Sequence, residues 1–233
     1  MSDPSGKPLL TSAAAQLDPA HTALLVIDVQ NDFCADGGYI DKLLGRDMSQ
    51  CQGVVGPIQT LIDAARDSGV PVFWINANYA SEHLAVPVLA KQKAGGVTME
   101  CCVPGTWGAD YFGGLKPEAD DIVIEKHRYN AFSGTPLDNL LRARGIKTLV
   151  LTGVQTNVCV DSTLRDGFSR GYYIVIPEDG VGSHTPELHQ ATLANVRMLF
   201  GTVCESDDIT QQWHSQTGAT AHQGKGEHAN AAG

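Results

Sequence analysis

Five short apolar runs alternate along the chain with amphipathic stretches, and this alternation limits the possible folds more than any other feature. Each run is nearly continuous in apolar, often β-branched residues instead of alternating between apolar and polar ones. Such runs are typical of strands that are covered on both faces. They lie at residues 22–28 (TALLVID), 70–76 (VPVFWIN), 121–126 (DIVIEK), 147–153 (KTLVLTG) and 172–178 (YYIVIPE).

Helical patterns follow four of these runs, at residues 54–69, 135–145, 157–171 and 185–201. Their ends carry cap signals: a final glycine at Gly69, Gly145 and Gly171, and an initial Thr-Pro pair at 135–136 and 185–186. The β-α-β-α order predicts an α/β fold of three layers, with helices on both faces of a mostly parallel central sheet. Residues 78–118 break the rhythm, and we expect them to form loops and a short helix over one edge of the sheet.

Length and composition favour one domain with a full core, because the 233 residues are 42% hydrophobic. We place this domain at residues 21–210, after an N-terminal arm at 1–20. Residues 211–233 are mostly small and polar without periodicity, so we expect a disordered tail there.

The charge of the chain restricts its partners. A net charge of -10 disfavours nucleic acid and anionic membrane surfaces, because both would repel the protein. No run approaches the roughly 20 apolar residues that span a bilayer, and the N-terminus lacks the pattern of a secretory leader. We expect a cytoplasmic protein whose partners are a small molecule and further copies of itself.

The six cysteines do not resemble a disulfide framework or a zinc site. A chain of this length with an apolar core does not need disulfides for stability, and no pair has CxxC or Cys/His zinc spacing. Five of the six are Cys34, Cys51, Cys101, Cys102 and Cys204. We interpret four of these, all but Cys51, as packing residues, although the adjacent pair in the variable 78–118 stretch is open to oxidation. We expect no metal and no cofactor.

Reactive side chains follow three of the predicted strands. Asp28 ends the first, Lys126 ends the third, and Cys159 lies in the turn after the fourth. Ligands of open parallel sheets bind outside the carboxyl ends of the strands, where these three residues converge. Singly, each has an ordinary explanation: a turn-forming Asp, a solvated Lys and a small buried Cys.

Together the three side chains suit nucleophilic catalysis. A thiol with an ordinary pKa of about 8.5 becomes a better nucleophile beside a cation and at a helix N-terminus. Lys126 would supply the cation, and Asp28 would take the thiol proton and return it to a leaving nitrogen. Backbone N–H groups at Cys159 and just before it would bind the oxyanion. The pattern predicts acyl transfer at an amide-like carbon.

Three motifs, LLVIDVQNDF, EKHRYNAF and GVQTNVCVDSTLRDGFSRGY, resemble those of the isochorismatase-like cysteine hydrolases, and the resemblance extends over residues 20–210. It implies an isochorismatase-like three-layer α/β/α fold and a catalytic triad of Asp28, Lys126 and Cys159. It also implies a cis peptide between Val154 and Gln155, with the N–H groups of Gln155 and Cys159 as the oxyanion hole.

Within that superfamily the sequence is most similar to the ureidoacrylate amidohydrolases, through residues 128–168. The stretch after the second strand lacks the Asp-x-His metal motif of nicotinamidases, and Cys159 argues against isochorismatases proper. Residues 78–112 depart from the ureidoacrylate enzymes, so biuret and triuret are further candidate substrates. Amidases of the N-carbamoylsarcosine or maleamate type, and a non-catalytic binding homologue, are alternatives. The resemblance also implies a dimer or tetramer.

Six residues are candidates for substrate binding, because a ureide needs matched polar partners in its pocket. Phe33 and Trp107 are expected to form walls, and Tyr129, Asn130, Gln155 and Asn195 to supply polar groups. Arg128 is either a further pocket residue or a structural ion-pair partner.

Overall fold

The computed structural model describes residues 1, 2, 6 and 9–223, and its centre is a seven-stranded sheet. Every strand pairing in it is parallel. The order is β3-β2-β1-β4-β5-β7, with β6 beside the end of β4. The strands are β1 (Thr22–Ile27), β2 (Val72–Ala77), β3 (Ile122–Lys126), β4 (Thr148–Val154), β5 (Tyr173–Pro177), β6 (Val181–Gly182) and β7 (Gly201–Cys204). The predicted α/β class with a mostly parallel sheet is confirmed.

The α-helices of the described residues are α1 (Ala13–Gln16), α2 (Asn31–Cys34), α3 (Tyr39–Leu44), α4 (Ser49–Gly53), α5 (Val55–Asp67), α6 (Val86–Ala94), α7 (Leu137–Ala143), α8 (Asp161–Ser169), α9 (Pro186–Asn195) and α10 (Ser206–Gln223). Two π-helical turns adjoin them: Thr156–Val160 leads into α8, and Val196–Phe200 follows α9. No helix in this part of the chain is long and apolar enough to cross a membrane.

Two apolar cores, one on each face of the sheet, make the three layers. On β1, Leu24 and Val26 join the core that includes the inner faces of α5 and α10. Leu25 and Ile27 join the opposite core, which includes residues of α7, α8 and α9. All six residues of β1 are buried, which explains why its sequence is apolar throughout.

All five predicted strands are present, with ends within two residues of the expected ones, whereas β6 and β7 are too short to be recognised from the sequence. The four predicted helices are also present. Gly69, Gly145 and Gly171 follow three of them with φ of +72°, +68° and +89°. Pro186 begins α9 after an N-cap at Thr185, whereas α7 begins one residue later than expected, at Leu137. The 78–118 stretch contains one α-helix, α6, among loops and short 3₁₀ turns.

The predicted disordered tail is wrong for its first part. α10 extends to Gln223, so residues 211–223 are helical, and the remaining residues, 224–233, lie outside the described ones. The helix is anchored because Ile209 and Trp213 are fully buried in the core beside α5. These two apolar residues stand in an otherwise polar segment, which conceals the amphipathic pattern. The limits of the domain stay a prediction.

Candidate active site

The ends of three strands at the carboxyl edge of the sheet bring Asp28, Lys126 and Cys159 together. β1 lies between β2 and β4, and β3 pairs with the other side of β2. Asp28 directly follows β1, Lys126 is the last residue of β3, and Cys159 lies in the π-helical turn after β4. Strand order thus converts three distant sequence positions into one cluster.

Asp28 and Lys126 form a buried ion pair. The carboxylate Oδ2 lies 2.8 Å from Lys126 Nζ, with side-chain exposures of 1% and 0%. Asp28 has a φ of +54°, an uncommon conformation for a non-glycine residue although Asp adopts it more readily than most. Its N–H still donates to Ile75 O at 2.9 Å, so the chain turns sharply while it stays attached to β2. The turn directs the carboxylate toward the site.

The Lys126 ammonium has three further neighbours. Nζ lies 2.9 Å from the Tyr79 hydroxyl oxygen, 3.1 Å from Arg128 O and 3.6 Å from Cys159 Sγ. The Tyr79 oxygen is itself 3.8 Å from Cys159 Sγ. The thiol therefore lies beside a cation and a hydroxyl, both held by other contacts.

Gly153 allows β4 to approach β1 closely just before the Thr156–Val160 turn that contains Cys159. Its φ is +103°, and a Cβ at this position would lie 2.0 Å from Ile27 O, so β4 approaches β1 more closely than any side chain permits. The following Val154–Gln155 peptide is cis. In the described residues, the N–H groups of Gln155 and Cys159 have no acceptor outside the Thr156–Val160 turn. The role of these two groups as oxyanion donors stays a prediction.

Burial controls the protonation of the cluster. It raises the pKa of the Cys159 thiol, the Asp28 charge raises it further, and Lys126 lowers it. Burial also raises the pKa of Asp28, against the attraction of Lys126. For Lys126, burial lowers the pKa, but Asp28 and Cys159 together outweigh this effect and the pKa is raised. The arrangement favours a neutral resting thiol beside an ion pair.

A cavity of about 220 Å³ opens onto Cys159 and suits a small molecule. Its walls are predominantly apolar, with a few polar groups. They comprise Asp28, Phe33, Tyr39, Ile40, Tyr79, Leu84, Val88, Gln92, Cys101, His127, Arg128, Tyr129, Val154, Gln155, Val158, Cys159 and His184. Several of these residues come from the 78–118 stretch and α3, which form one wall.

Three of the six predicted pocket residues line this cavity: Phe33, Tyr129 and Gln155. The Gln155 side chain is occupied by protein contacts. Its Nε2 donates to Phe33 O at 3.2 Å, and its Oε1 accepts from the His184 backbone N–H at 3.0 Å and lies 3.1 Å from His184 Nδ1. The Gln155 side chain therefore holds Phe33 and His184 in place, and one of its two Nε2 hydrogens is used for this.

Asn130, Asn195 and Trp107 do not line the cavity, which corrects the sequence interpretation. The Asn130 side chain donates to Asp166 at 2.6 Å and accepts from the Phe132 N–H at 2.9 Å, so it holds a loop. Asn195 is the last residue of α9 and is not among the cavity residues. Trp107 is 53% exposed, and its carbonyl accepts from the Asn31 side chain and the Asp110 N–H.

Arg128 lines the cavity mouth and makes no ion pair with any described carboxylate. Its Nη1 donates to the carbonyls of His83 and His127 at 2.7 and 2.6 Å. Nε and Nη2 have no acceptor among the described residues, so they remain available to a ligand. The structural ion-pair interpretation of Arg128 is therefore wrong.

Tyr79 and His184 are among the cavity residues that the sequence analysis missed. Tyr79 lies two residues past β2 and His184 two residues past β6, so both also follow carboxyl ends of strands. The strand-end rule that selected Asp28 would have found Tyr79. It would not have found His184, because β6 has only two residues.

One further group of donor atoms lies beside the cavity. Side-chain atoms of Asp32, Cys101 and Cys102 lie within 4.8 Å of one another. The Asp32 carboxylate accepts the backbone N–H groups of Cys102 at 2.6 Å and Tyr39 at 3.1 Å. Asp32 thus connects the loop that contains Cys102 to the first residue of α3, and the thiols of Cys101 and Cys102 lie close to its carboxylate. All six cysteines of the chain are free thiols.

Comparison with known proteins places the chain in a family. The isochorismatase domain matches residues 22–208, which is most of the chain. The chain, whose fold is of the α/β class, belongs to the isochorismatase family of hydrolases.

Three similar proteins indicate its branch. The chain is 40% identical over 202 residues to ureidoacrylate amidohydrolase RutB of Methylobacterium radiotolerans, covering 81% of this chain and 78% of that protein. It is 37% identical over 225 residues to the RutB of Acinetobacter baylyi, covering 89% and 91%. A crystal structure of a cysteine hydrolase from Pseudomonas syringae pv. phaseolicola 1448A superimposes with a TM-score of 0.76 at 25% identity, covering 90% of this chain and 99% of that one.

Proposed function

We propose that this chain is a cysteine amidohydrolase that cleaves a C–N bond of a small linear ureide, with ureidoacrylate as the first candidate. The observation that carries the proposal is the buried cluster itself. Cys159 Sγ lies 3.6 Å from Lys126 Nζ, which is paired with Asp28 at 2.8 Å, at the base of a cavity of suitable size. The similarity to two RutB proteins supports the ureido class.

In the first step, Cys159 attacks the carbamoyl carbon of the substrate. The S–H proton passes to Asp28, a new C–S bond forms, and the carbonyl π electrons move onto oxygen. The backbone N–H groups of Gln155 and Cys159 donate to this oxyanion. Lys126 stays protonated and stabilises the negative charge that passes between the carboxylate and the sulfur.

Collapse of the tetrahedral intermediate breaks the C–N bond. The leaving nitrogen takes the proton that Asp28 received, and the carbonyl re-forms as a thioester-like acyl-enzyme. Water then attacks the same carbon and gives a proton to Asp28. The C–S bond breaks, the proton returns to sulfur, and the products are ammonia or carbamate with the remaining acid or amine.

Arg128 favours ureidoacrylate over neutral ureides. Ureidoacrylate carries a carboxylate, whereas biuret and triuret do not, and the cavity mouth offers the unused Nε and Nη2 of a guanidinium. In a chain with a net charge of -10, a local cation is needed to attract an anionic substrate.

A substrate panel tests the proposal. Ammonia and carbon dioxide release are measured with ureidoacrylate, biuret, triuret, N-carbamoylsarcosine and maleamate, with the Cys159→Ala variant as the background. We expect both products, fastest with ureidoacrylate. Ammonia without carbon dioxide, from maleamate alone, would assign a simple amidase. No Cys159-dependent turnover of any of the five would contradict the proposal and favour a binding homologue.

A further inference from the structure

The Tyr79 hydroxyl links the Lys126 ammonium to the Cys159 thiol. Its oxygen lies 2.9 Å from Nζ and 3.8 Å from Sγ, and the side chain is buried and lines the cavity. Neither the sequence motifs nor the triad assigns a role to this hydroxyl.

The ammonium cannot give a proton to every neighbour it has. It carries three N–H donors and has four acceptors around it: Asp28 Oδ2, Tyr79 Oη, Arg128 O and Cys159 Sγ. The three oxygens lie at 2.8, 2.9 and 3.1 Å, and the sulfur is the most distant at 3.6 Å. Its three hydrogen bonds go to Tyr79 Oη, Arg128 O and Cys159 Sγ, and the Asp28 carboxylate interacts with it through charge.

Tyr79 offers the sulfur a second donor beside Lys126. Because its oxygen accepts from Lys126, its own O–H proton is free to point elsewhere, and Cys159 Sγ is the acceptor within reach. We propose that Tyr79 is a further catalytic residue, whose hydroxyl donates a hydrogen bond to the Cys159 thiolate as the thiol proton passes to Asp28. Tyr79 keeps its own proton throughout, so it stabilises charge and transfers nothing. This role rests on the proposed function of Cys159 as the nucleophile.

The Tyr79 ring is fixed independently of its hydroxyl. It packs edge-to-face on Phe33 and Tyr129, with ring centroids 6.2 and 6.1 Å apart. Its backbone N–H donates to Cys101 O at 3.0 Å. Phenylalanine preserves all of these contacts, so the Tyr79→Phe variant removes the hydroxyl and leaves the fold in place.

The direct test is the pH profile of Cys159 alkylation by iodoacetamide, followed on the peptide that carries Cys159. At a fixed pH below the thiol pKa, we expect Tyr79→Phe to react about tenfold more slowly, the scale of one hydrogen bond to a charged group, with the profile moved to higher pH. The matched control is Tyr172→Phe. Tyr172 is also buried but does not line the cavity, and its hydroxyl donates to the Asp138 carboxylate. Its profile should coincide with that of the native protein.

Turnover of the best ureide gives a second measurement. We expect kcat of Tyr79→Phe to fall about tenfold or more with KM changed less than about twofold, because the lost interaction exists only once the thiolate forms. A purely structural role would leave the alkylation profile in place. Coincident profiles for Tyr79→Phe and the native protein would overturn the assignment.

The two measurements separate this inference from the proposed function. A shifted alkylation profile in a protein that turns over no ureide supports the role of Tyr79 and rejects the proposed substrate class. Cys159-dependent hydrolysis of a ureide with an unshifted alkylation profile supports the proposed function and rejects the role of Tyr79. If Tyr79→Phe fails to fold, 3-fluorotyrosine in place of Tyr79 answers the same question, because this stronger donor of similar shape must move the profile to lower pH.

Discussion

Asp28 Oδ2 and Lys126 Nζ lie 2.8 Å apart at the ends of two strands that are separated by β2, and neither side chain is more than 1% exposed. A buried ion pair of this kind costs more to break than it contributes, because the partner left behind is an uncompensated charge in an apolar site. The pair is therefore a sensitive probe of the site.

Removing one partner should destabilise the protein strongly. We expect Asp28→Asn and Lys126→Met each to lower the free energy of unfolding by about 3 to 5 kcal/mol. The double variant should recover much of this loss, because neither charge remains, while activity stays abolished. Urea unfolding measures the coupling. Additive losses in the double variant would show that the two groups do not interact.

The pH dependence of turnover should reflect the ionisation of Asp28. Burial raises the pKa of this carboxyl above its ordinary value of 3.8, and the carboxylate is the form that accepts the thiol proton. As pH falls through that raised pKa, the base is lost, so the acid limb of kcat/KM should have its midpoint above pH 3.8. A profile that stays flat down to or below that value would show that Asp28 is not the base.

Arg128 should determine the preference for anionic ureides. We expect Arg128→Gln to raise KM for ureidoacrylate by roughly tenfold or more, the scale of a charge-assisted hydrogen bond. KM for biuret, which lacks a carboxylate, should stay unchanged in the same variant. Steady-state kinetics with both substrates provides the internal control, and an equal change for the two would contradict carboxylate binding by Arg128.

His184 is expected to accept a hydrogen bond from the substrate. Gln155 Oε1 is an acceptor, so His184 Nδ1 carries the proton at their 3.1 Å contact, and the Nε2 lone pair remains available. Burial lowers the pKa of this imidazole, which favours the neutral form. His184→Phe keeps a ring but leaves a ureide N–H unpaired, at a cost of about 1 to 3 kcal/mol, or about fivefold to a hundredfold in KM. His214→Phe on the exposed side of α10 is the control, and an unchanged KM in His184→Phe would contradict the role.

Gly153 should tolerate no side chain. A Cβ there meets Ile27 O at 2.0 Å and the φ is +103°, whereas at Gly171 the φ is +89° and nothing lies within 4 Å. Gly171→Ala should cost about 1 to 2 kcal/mol, the price of a left-handed conformation alone. Gly153→Ala should cost several times more and displace Gln155 from the site. Equal unfolding free energies of the two variants would contradict the close approach of β4 to β1.

The sequence predicts the sheet and the triad for the same physical reason. Strands buried on both faces must be apolar throughout, so β1 and β4 were recognisable, and residues that follow such strands must meet at one edge. The sequence does not predict the state of the thiol, because desolvation depends on how completely the loops close over Cys159.

The pocket walls were less predictable. Asn130 and Trp107 stand near site residues in the sequence, but their side chains point into a loop contact and toward solvent. Tyr79 follows β2 and could have been found by the strand-end rule, whereas the path of the His184 segment is set by its long-range contact with the Gln155 side chain. The local amino-acid sequence does not indicate such contacts.

Rapid-quench mass spectrometry of the protein mixed with its best ureide substrate detects the proposed acyl-enzyme directly. We expect a transient mass increase, equal to the acyl fragment of the substrate, on the peptide that contains Cys159. In Cys159→Ala we expect neither this adduct nor turnover. Hydrolysis of the ureide by Cys159→Ala at the native rate, with no adduct on the native protein, would contradict the proposed acyl-enzyme.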